Sequence, residues 1–320
     1  MFKVMATVDL SGCPEAVKAF AGIATVDQFP WDYDAVVAAI QDYDAYLAST
    51  SVLVDAQFLA RAKRLKVIGS PSTGTDHLDR DAIQQKGIAC FDISKELDLI
   101  RGFTATAELG FGLLLAVNRE ICAAKEAVCG GDWARERFTG FQLYGKTLGI
   151  VGLGRLGTIS ARIGQGFGMD VIAADIKDVE VPEGVRLVDH ETLYRTSDVI
   201  TVHIHLTQDT RNLIGRRAFA LMKNTAVLIN TSRGGLVDEE ALLKALQDGK
   251  IAGAGLDVID GEWLDVIQSH PLVKYMQNNE NLVITPHIGG ATHESIYGAR
   301  IFMAKKVAKF LAELNASPAR

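Results

Sequence analysis

Polar or titratable side chains follow several short apolar runs in the second half of this chain. They are Asp175, His203, the run Asn230-Thr231-Ser232-Arg233, Asp257 and the run Thr285-Pro286-His287. Ligands of open α/β sheets bind beyond the carboxyl ends of the strands, so these groups are expected to gather on one rim. Arginine can hold a carboxylate with its planar set of donors, and histidine can give or take a proton near neutral pH. The rim therefore predicts a site that binds an anion and transfers a proton.

A glycine-rich turn separates one of these apolar runs from a predicted helix. The run at 148–151 has the composition of a buried strand, and Gly152, Gly154 and Gly157 follow it. In a dinucleotide-binding turn the first glycine permits the tight turn, the second lets a pyrophosphate approach the backbone, and the third lets the helix pack close to its strand. The helix N-terminus then faces the phosphates. The turn therefore predicts a dinucleotide-binding unit.

An acidic residue follows the next predicted strand, at 171–174. This residue, Asp175, lies eighteen positions after Gly157. A carboxylate at this point suits the 2′-hydroxyl of an NAD ribose and would repel the 2′-phosphate of NADP. We therefore expect NAD as the cofactor, and Lys177 is the nearest cation that could relax this preference.

Strand-like and helix-like runs alternate along the whole chain. In the first half we predict strands at 2–8, 45–48, 66–69 and 88–91, and helices at 14–21, 33–41, 55–64 and 79–86. In the second half we predict strands at 148–151, 171–174, 199–203, 226–229, 254–258 and 282–285. Such alternation indicates open parallel sheets, and six strands complete a doubly wound dinucleotide domain. A long apolar helix is predicted at 104–130 and a last helix at 295–314.

This pattern predicts an α/β fold of two doubly wound parallel-sheet domains with a cleft between them. A flavodoxin-like substrate-binding domain is expected over 1–102 and a Rossmann NAD-binding domain over 103–290. The segment 291–320 follows the last strand of the dinucleotide domain. We expect it to pack back onto the first domain, which makes the substrate-binding domain discontinuous.

Composition argues against several classes of protein. The chain has 320 residues, 48% of them hydrophobic, as expected of a soluble globular protein with two domains. Its net charge of −6 argues against a nucleic-acid partner. The longest apolar run, near 113–117, is too short to cross a membrane, and residues 1–5 lack the zones of a signal peptide. The four cysteines show no C-x-x-C spacing, which favours reduced thiols in a cytoplasmic protein.

Several segments resemble the signature sequences of the NAD-dependent D-2-hydroxyacid dehydrogenases. They are INTSRGGLVD at 229–238, TPHIGG at 285–290, GLDV at 255–258, the turn at 149–157, TGTD at 73–76 and TAE at 106–108. The similarity covers nearly the whole chain and is closest to the phosphoglycerate-dehydrogenase-like branch, without the regulatory domain that some members carry. It implies hydride transfer between NAD(H) and a small 2-hydroxy or 2-oxo acid.

The resemblance places a catalytic trio on Arg233, Glu262 and His287. Reduction of a 2-oxo acid moves a hydride to the ketone carbon while the oxygen gains a proton. Arg233 would hold the carboxylate and polarise the ketone oxygen, and His287 would give the proton. Glu262 would orient His287 and favour its protonated form. The structural alternative for Arg233 is an ion pair with Asp238.

The other two members of the trio also have alternatives. His287 could be a hydrogen-bonded turn residue without a catalytic role. Glu262 is followed by Trp263 where the family commonly has proline, so Asp260 is its rival. The five-residue offset of Glu262 from Asp257 matches the family and favours Glu262.

The resemblance also implies a set of cofactor-binding residues. They are Thr106, Gly152, Gly154, Arg155, Leu156, Gly157, Asp175, His203, His205, Thr210, Thr231, Ser232, Asp257, Gly289 and Gly290. Thr106 would reach the phosphates or a ribose, and Arg155 with Leu156 would present backbone amides to the pyrophosphate. Asp257 would contact the nicotinamide carboxamide. His205 stands where many relatives have proline, and would either touch the nicotinamide ribose or lie at the surface.

The first domain is expected to hold the substrate carboxylate. Backbone N–H groups of Ser72, Thr73 and Gly74 would bind this anion, together with the side chains of Arg233 and His287. Ser72 stands where relatives often have glycine, and an ordinary polar turn is the alternative for this loop. No metal is expected, because hydride transfer needs none and the remaining histidines lack metal-ligand spacing (His77, His190, His270 and His293).

The far end of the substrate distinguishes members of this branch. A 3-phosphoglycerate enzyme must neutralise a phosphate, and residues 48–51 lack the arginine that some relatives place there. Arg101, Arg135 or Arg137 could substitute for it. Glu262 argues against the formate-oxidising branch, which has glutamine at that position. We therefore expect a small 2-oxo acid such as glyoxylate, hydroxypyruvate or pyruvate, with D-3-phosphoglycerate as the alternative.

Partners follow from the same resemblance. Relatives are usually homodimers joined through the dinucleotide domain, and the apolar helix at 104–130 is the candidate interface. Some relatives are NAD(H)-responsive regulators that bind other proteins, which is the alternative function of a different class. A nucleic acid or a membrane is not expected as a partner.

Overall fold

The computed structural model describes residues 1–262 and 267–316. The chain divides into two compact units. The first unit is Met1–Phe103 with Thr292–Arg320, and the second unit is Thr104–Ala291. Each unit contains one parallel sheet with helices on both faces.

The two units are built from alternating strands and helices. The strands of the described residues are β1 (Phe2–Ala6), β2 (Ala24–Gln28), β3 (Ala45–Leu47), β4 (Val67–Gly69), β5 (Ala89–Phe91), β6 (Thr147–Val151), β7 (Asp170–Ala174), β8 (Val185–Leu187), β9 (Val199–Val202), β10 (Val227–Asn230), β11 (Gly253–Leu256) and β12 (Leu282–Ile284). The α-helices are α1 (Pro14–Lys18), α2 (Tyr33–Ala39), α3 (Ala56–Arg61), α4 (Arg80–Gln85), α5 (Leu97–Ile100), α6 (Ala105–Asn118), α7 (Ile121–Cys129), α8 (Arg155–Gly166), α9 (His190–Thr196), α10 (Arg216–Leu221), α11 (Glu239–Gln247), α12 (Pro271–Met276) and α13 (His293–Ala316).

In the first unit the sheet order is β2-β1-β3-β4-β5, and all neighbouring strands are parallel. This is the flavodoxin-like order, which confirms the fold class predicted for this part of the chain. Strand β2 was not predicted. It lies at the sheet edge with Thr25, Asp27 and Gln28 exposed, so it lacks the apolar run by which buried strands are recognised.

The last helix of the chain belongs to the core of the first unit. Met303 and Val307 of α13 are fully buried, together with residues of β1, β3 and β4. A Cβ on Gly69 of β4 would lie 2.6 Å from Val307 Cγ2, so the absence of a side chain lets the helix approach the strand. Helices α1 and α5 share this face of the sheet, and α2, α3 and α4 cover the other.

In the second unit the order is β12-β11-β10-β9-β6-β7-β8, again wholly parallel. This confirms the predicted doubly wound dinucleotide fold and adds a seventh strand, β8, at the edge. Arg186 and Leu187 of β8 are exposed, so the sequence carried little strand signal there. Within this sheet the chain runs from β6 outwards through β7 to β8, and then crosses back to β9 on the other side of β6. The switch point between β6 and β9 is where ligands bind in such sheets.

The single helix predicted over 104–130 is wrong. The structure has two helices, α6 and α7, because Glu120 adopts a left-handed conformation with φ of 47°. Helix α6 is apolar on several faces because it packs on β10, β11 and α8. Gly255 of β11 accommodates it, since a Cβ there would lie 2.9 Å from Leu113 Cβ.

One helical stretch of the described residues, Leu97–Asn118, is long and apolar enough to cross a membrane. This contradicts the expectation drawn from the short run near 113–117. Core helices of globular proteins meet the same criteria of length and composition, and α6 lies within this stretch with Leu113, Leu114 and Val117 buried. The stretch therefore assigns no membrane role.

Candidate active site

The space around the Cβ position differs among the three glycines of the turn after β6. Gly152 has φ of 94°, and a Cβ there would lie 2.7 Å from the His203 carbonyl oxygen. A Cβ on Gly157 would lie 2.1 Å from the Gly152 carbonyl oxygen, so helix α8 packs directly against the turn. Gly154, in contrast, has no atom within 4 Å of its Cβ direction. The first and third glycines thus shape the turn, and the second leaves space beside its backbone.

The space beside Gly154 borders the first turn of α8. Gly154 is the N-cap of this helix without a side-chain cap, so the N–H groups of Arg155 and Leu156 point out of the helix N-terminus. An anion is stabilised at such a position by the amides and the helix dipole. Burial also lowers the pKa of Arg155, although this guanidinium stays charged at any physiological pH.

Asp175 lies directly after β7, beside the turn. One carboxylate oxygen accepts the Leu153 N–H at 2.8 Å, and the other accepts the Lys177 N–H at 2.9 Å. These bonds fix the carboxylate at the switch point. Ile176, the next residue, is 86% exposed and was not predicted as a site residue. An apolar side chain exposed beside this carboxylate suits the face of an adenine ring.

His203 lies beneath the turn, and its ring is not part of the rim. Nε2 lies 2.9 Å from Ser160 Oγ of α8 and 3.0 Å from Thr201 Oγ1 of β9. Burial lowers the pKa of His203 to about 4, so the ring is neutral. The ring ties α8 to the sheet and the carbonyl oxygen borders Gly152, while cofactor binding by His203 stays a prediction.

The loop after His203 is shaped by Thr210. Its hydroxyl donates to the His205 carbonyl oxygen at 2.8 Å and accepts the Thr207 N–H at 2.7 Å. His205 itself is exposed, and its contact with the nicotinamide ribose stays a prediction. Ile204, which was not predicted, packs over the turn, because a Cβ on Gly152 would lie 2.5 Å from Ile204 Cγ2.

Arg233 lies three residues beyond β10 in a loop that its neighbours hold in shape. Asn230 is 1% exposed, donates from Nδ2 to the Arg233 carbonyl oxygen at 2.9 Å, and accepts the Ser232 N–H at 3.0 Å. The Ser232 hydroxyl donates to the Val202 carbonyl oxygen at 2.7 Å. Arg233 Nη1 donates to the Ser232 carbonyl oxygen at 2.7 Å. The Ser232 side chain therefore holds the loop, and cofactor binding by Ser232 stays a prediction. Asn230, which was not predicted to bind the cofactor or the substrate, positions the Arg233 loop.

Glu262 and His287 form a close pair. His287 Nδ1 lies 2.6 Å from Glu262 Oε1, and the two side chains are 28% and 17% exposed. The rival acid, Asp260, pairs with Arg211 at 3.2 Å instead. Trp263, the departure from the family pattern, lies outside the described residues. The geometry thus favours Glu262 as the partner of His287.

His287 has an unusual backbone conformation, with φ of 53°. Left-handed conformations are uncommon for residues other than glycine and often mark functional sites. Asp257 holds the segment: its carboxylate accepts the Thr285 hydroxyl at 2.6 Å, the Ile288 N–H at 2.8 Å and the Gly289 N–H at 2.7 Å. Its carbonyl oxygen accepts the His287 N–H at 2.9 Å.

These bonds define what Asp257 does in the structure. The residue is 1% exposed, and burial raises the pKa of its carboxyl group against the opposing effect of the three donors. Its carboxylate was expected to face the nicotinamide carboxamide, and the structure uses it to shape the turn of His287. Thr106 lies nearby, since a Cβ on Gly289 would lie 2.8 Å from Asp257 Oδ2 and 3.2 Å from Thr106 Cγ2. Gly290 is open on its Cβ side.

A close backbone contact brings the Arg233 loop against the loop of Glu262. A Cβ on Gly234 would lie 2.1 Å from the Ile259 carbonyl carbon and 2.2 Å from the Asp260 nitrogen. Only glycine permits this approach, because both neighbours are backbone atoms. The Arg233 loop and the Glu262 loop thus meet at the Ile259–Asp260 peptide group. Asp238, the alternative partner of Arg233, caps α11 by accepting the Ala241 N–H.

The substrate loop predicted in the first unit follows β4. Its Gly74 N–H donates to the Ser72 hydroxyl at 3.2 Å. Serine in place of glycine therefore forms a side-chain turn and uses one of the expected amides. Thr73, at the tip, is exposed.

Comparison with known proteins agrees with this geometry. The family model for the NAD-binding domain of D-isomer specific 2-hydroxyacid dehydrogenases matches residues 111–289, more than half of the chain. The chain belongs to the D-2-hydroxyacid dehydrogenase family. It is an NAD-dependent oxidoreductase, and the second unit contains its NAD-binding domain.

Relatives of this dehydrogenase have different names. The glyoxylate reductase of Thermococcus litoralis is 40% identical over 85% of this chain and 81% of its own length. The D-3-phosphoglycerate dehydrogenase of Methanocaldococcus jannaschii is 38% identical over 85% of this chain, which spans 50% of that protein's length. The crystal structure of the D-lactate dehydrogenase of Aquifex aeolicus, complexed with NAD and lactic acid, has a TM-score of 0.83, with 27% identity over 97% of this chain and 96% of that one.

The residues of this dehydrogenase fit NAD. The open side of Gly154 and the N-terminus of α8 would hold the pyrophosphate, and Asp175 would hold a ribose hydroxyl. The Thr231 hydroxyl is buried beside α6 and has no hydrogen-bond partner among the described residues. Buried polar atoms rarely stay unpaired, so this hydroxyl marks a place where the cofactor side of the sheet is incomplete without its ligand.

Proposed function

We propose that this dehydrogenase uses NADH to reduce a small 2-oxo acid to the D-2-hydroxy acid, and that it catalyses the reverse oxidation. The observation that supports this is the 2.6 Å pair of His287 Nδ1 and Glu262 Oε1. The loop that carries Glu262 contacts the backbone next to Arg233, and His287 lies on the loop after β12. A proton donor, the carboxylate that orients it, and a cation for the substrate are thereby carried on neighbouring loops.

Proton transfer falls to His287. Because Glu262 holds Nδ1, the other ring nitrogen, Nε2, is the atom that gives a proton to the ketone oxygen. Arg233 holds the substrate carboxylate and polarises the ketone oxygen. When bound, NADH supplies the hydride that adds to the ketone carbon. The product is the 2-hydroxy acid with one new C–H and one new O–H bond, and oxidation runs the same steps in reverse.

The segment after β3 has no basic side chain of the kind that neutralises a distal phosphate in some relatives. Ala48 is fully buried and Ser49 is 9% exposed, so no basic side chain is present there. Two arginines that could otherwise meet a phosphate already pair with acids of their own segment: Arg135 with Glu136 and Arg137 with Asp132. Glyoxylate, hydroxypyruvate and pyruvate therefore rank before phosphohydroxypyruvate.

The second candidate is D-3-phosphoglycerate dehydrogenase activity, which the similarity to the Methanocaldococcus jannaschii protein favours. The test is NADH consumption by the purified chain against glyoxylate, hydroxypyruvate, pyruvate, 2-oxoglutarate and phosphohydroxypyruvate. Preference for one of the first three in kcat/KM supports the proposal, and preference for phosphohydroxypyruvate replaces it with the second candidate. Tight NADH binding without turnover on any of the five would favour a regulatory role.

We further propose a homodimer formed through the second unit. Because α6 is packed in the core, the candidate interface is restricted to α7, the second part of the predicted helix, and to the segment after it. Four large apolar side chains here are between 49% and 85% exposed: Ile121 and Val128 of α7, Trp133 and Tyr144. Exposed apolar surface of this kind is typical of protein–protein interfaces. Light scattering should give twice the chain mass, and Val128→Asp should lower it; a monomeric parent chain would contradict the proposal.

We also propose that this protein lies in the cytoplasm. Cys13, Cys90, Cys122 and Cys129 are all free thiols. Free thiols fit the reducing cytoplasm, and oxidation-sensitive labelling in cells would test this assignment.

A further inference from the structure

A second pair of glutamate and histidine lies behind the Glu262 loop. Glu239 is the first residue of α11, and its Oε2 lies 3.1 Å from His270 Nε2. Its other oxygen, Oε1, accepts the Asp260 N–H at 2.8 Å. The side chains of Glu239 and His270 are 18% and 17% exposed. One nearly buried carboxylate thus holds two points of the chain that are ten residues apart.

The His270 ring is oriented for this contact. Its Nδ1 accepts the Leu272 N–H at 3.3 Å, which caps helix α12. The ring proton of neutral imidazole therefore lies on Nε2, which donates to Glu239. Burial raises the pKa of the Glu239 carboxyl, while the Asp260 N–H and His270 act in the opposite direction. Such a group is costly to bury unless its partners are kept in place.

The two points held by Glu239 flank Glu262 in the sequence. Asp260 precedes Glu262 by two residues, and His270 follows it by eight. The Asp260 N–H also belongs to the peptide group on which Gly234 rests, with Cβ-to-nitrogen separation of only 2.2 Å if a Cβ were present. Glu239 therefore clamps the peptide that lies between the Arg233 loop and Glu262.

We infer that Glu239, together with His270, is a positioning residue of the catalytic centre. It touches neither of the two side chains of the proton-transfer pair and acts through the Asp260 peptide. By holding that peptide it fixes the position of Glu262, which in turn fixes the ring of His287. This inference rests on the proposed function, because it assigns to Glu239 an effect on proton transfer by Glu262 and His287.

The test is a double-mutant cycle of Glu239→Gln and Glu262→Gln, measured as kcat and as the Kd of NADH. Glutamine keeps the size of Glu239 but removes the charge that holds both partners. In the parent chain Glu239→Gln should lower kcat by roughly tenfold or more, as displacement of a catalytic group does. In the Glu262→Gln background the same change should lower kcat by less than about twofold, because the group that it positions is already altered. The Kd of NADH should stay within about twofold of that of the parent.

One control variant and one further test variant accompany the cycle. Glu240→Gln removes a charge from the next residue of the same helix turn, where the side chain is 84% exposed and pairs with Arg216, and it should change neither kcat nor Kd. His270→Ser replaces the capping Nδ1 by a hydroxyl oxygen and is too short to reach Glu239, so it should lower kcat in the same coupled way. The His270 variant also tests the positioning role if Glu239→Gln does not fold.

The outcomes separate the two proposals. Equal losses in both backgrounds, unchanged kcat, or a loss of NADH affinity that matches the loss of kcat would each overturn the role of Glu239. A parent chain that reduces no 2-oxo acid while still binding NADH would instead overturn the proposed function.

Discussion

Substitution of Gly234 by alanine is the most direct test of how the catalytic loops are assembled. The new Cβ would lie 2.1 Å from the Ile259 carbonyl carbon, whereas ordinary contacts are at 3.4–4 Å. The Ile259–Asp260 peptide must therefore retreat by more than about 1 Å, since neither it nor Gly234 has a flexible side chain that could move instead. Glu262 follows that peptide by two residues and moves with it.

The expected loss can be worked out from this displacement. Misplacement of a catalytic group by 1 Å costs on the order of a hundredfold in rate, so kcat of Gly234→Ala should fall by about that factor. Overpacking should lower the free energy of unfolding by about 1–3 kcal/mol. The residues proposed to hold the pyrophosphate and a ribose, Gly154 and Asp175, lie on other loops, so the Kd of NADH should change much less than kcat.

The assay is NADH oxidation with the preferred 2-oxo acid, at a temperature where thermal melting shows the variant to be folded. Gly112→Ala is the matched control, because it makes the same chemical change in α6 with no atom within 4 Å. It should keep full activity and gain about 0.5–1 kcal/mol from helix propensity. Parental kcat in a folded Gly234→Ala variant would refute the link between the two loops.

Three further predictions follow from single side chains. His287→Ala should lose roughly 2–5 kcal/mol of transition-state stabilisation while NADH still binds; unchanged turnover would remove this residue from the mechanism. Asp175 should make NAD preferred over NADP in kcat/KM, and equal values for the two cofactors would refute that assignment. Burial holds the pKa of His203 at about 4, against about 6.5 in the unfolded chain. The unfolded chain therefore binds more protons between these values, and stability should fall as the pH drops from about 6.5 to 4. His203→Gln should flatten this dependence of Tm on pH and His205→Gln, at an exposed position, should not; parallel curves for the parent and His203→Gln would contradict it.

The glycine turn could be predicted because its chemistry is local. Gly152, Gly154 and Gly157 act within one strand, one turn and one helix, and their spacing alone carries that information. The strands β2 and β8 could not be predicted in the same way. They lie at sheet edges with polar or exposed residues, so their pairing depends on neighbours that are distant in the sequence.

The resemblance identified the proposed catalytic trio, but the geometry of the trio could not be predicted from the sequence. The left-handed conformation of His287 depends on Asp257, thirty residues earlier, and no local signal marks it. The contacts of His203 could not be predicted either, because Ser160 of α8, which bonds to its ring, is 43 residues earlier in the sequence.

The three catalytic loops share one principle of construction. Each is held by a buried or largely buried polar side chain that bonds to backbone groups: Asn230 for the Arg233 loop, Asp257 for the His287 loop and Glu239 for the Glu262 loop. Reactive groups on loops need such support, because a loop alone does not hold geometry to within a fraction of an ångström. These three side chains hold different loops, and the loops carry Arg233, His287 and Glu262. Loss of any one should therefore lower kcat far more than cofactor affinity, and combined losses should be smaller than the product of the single ones.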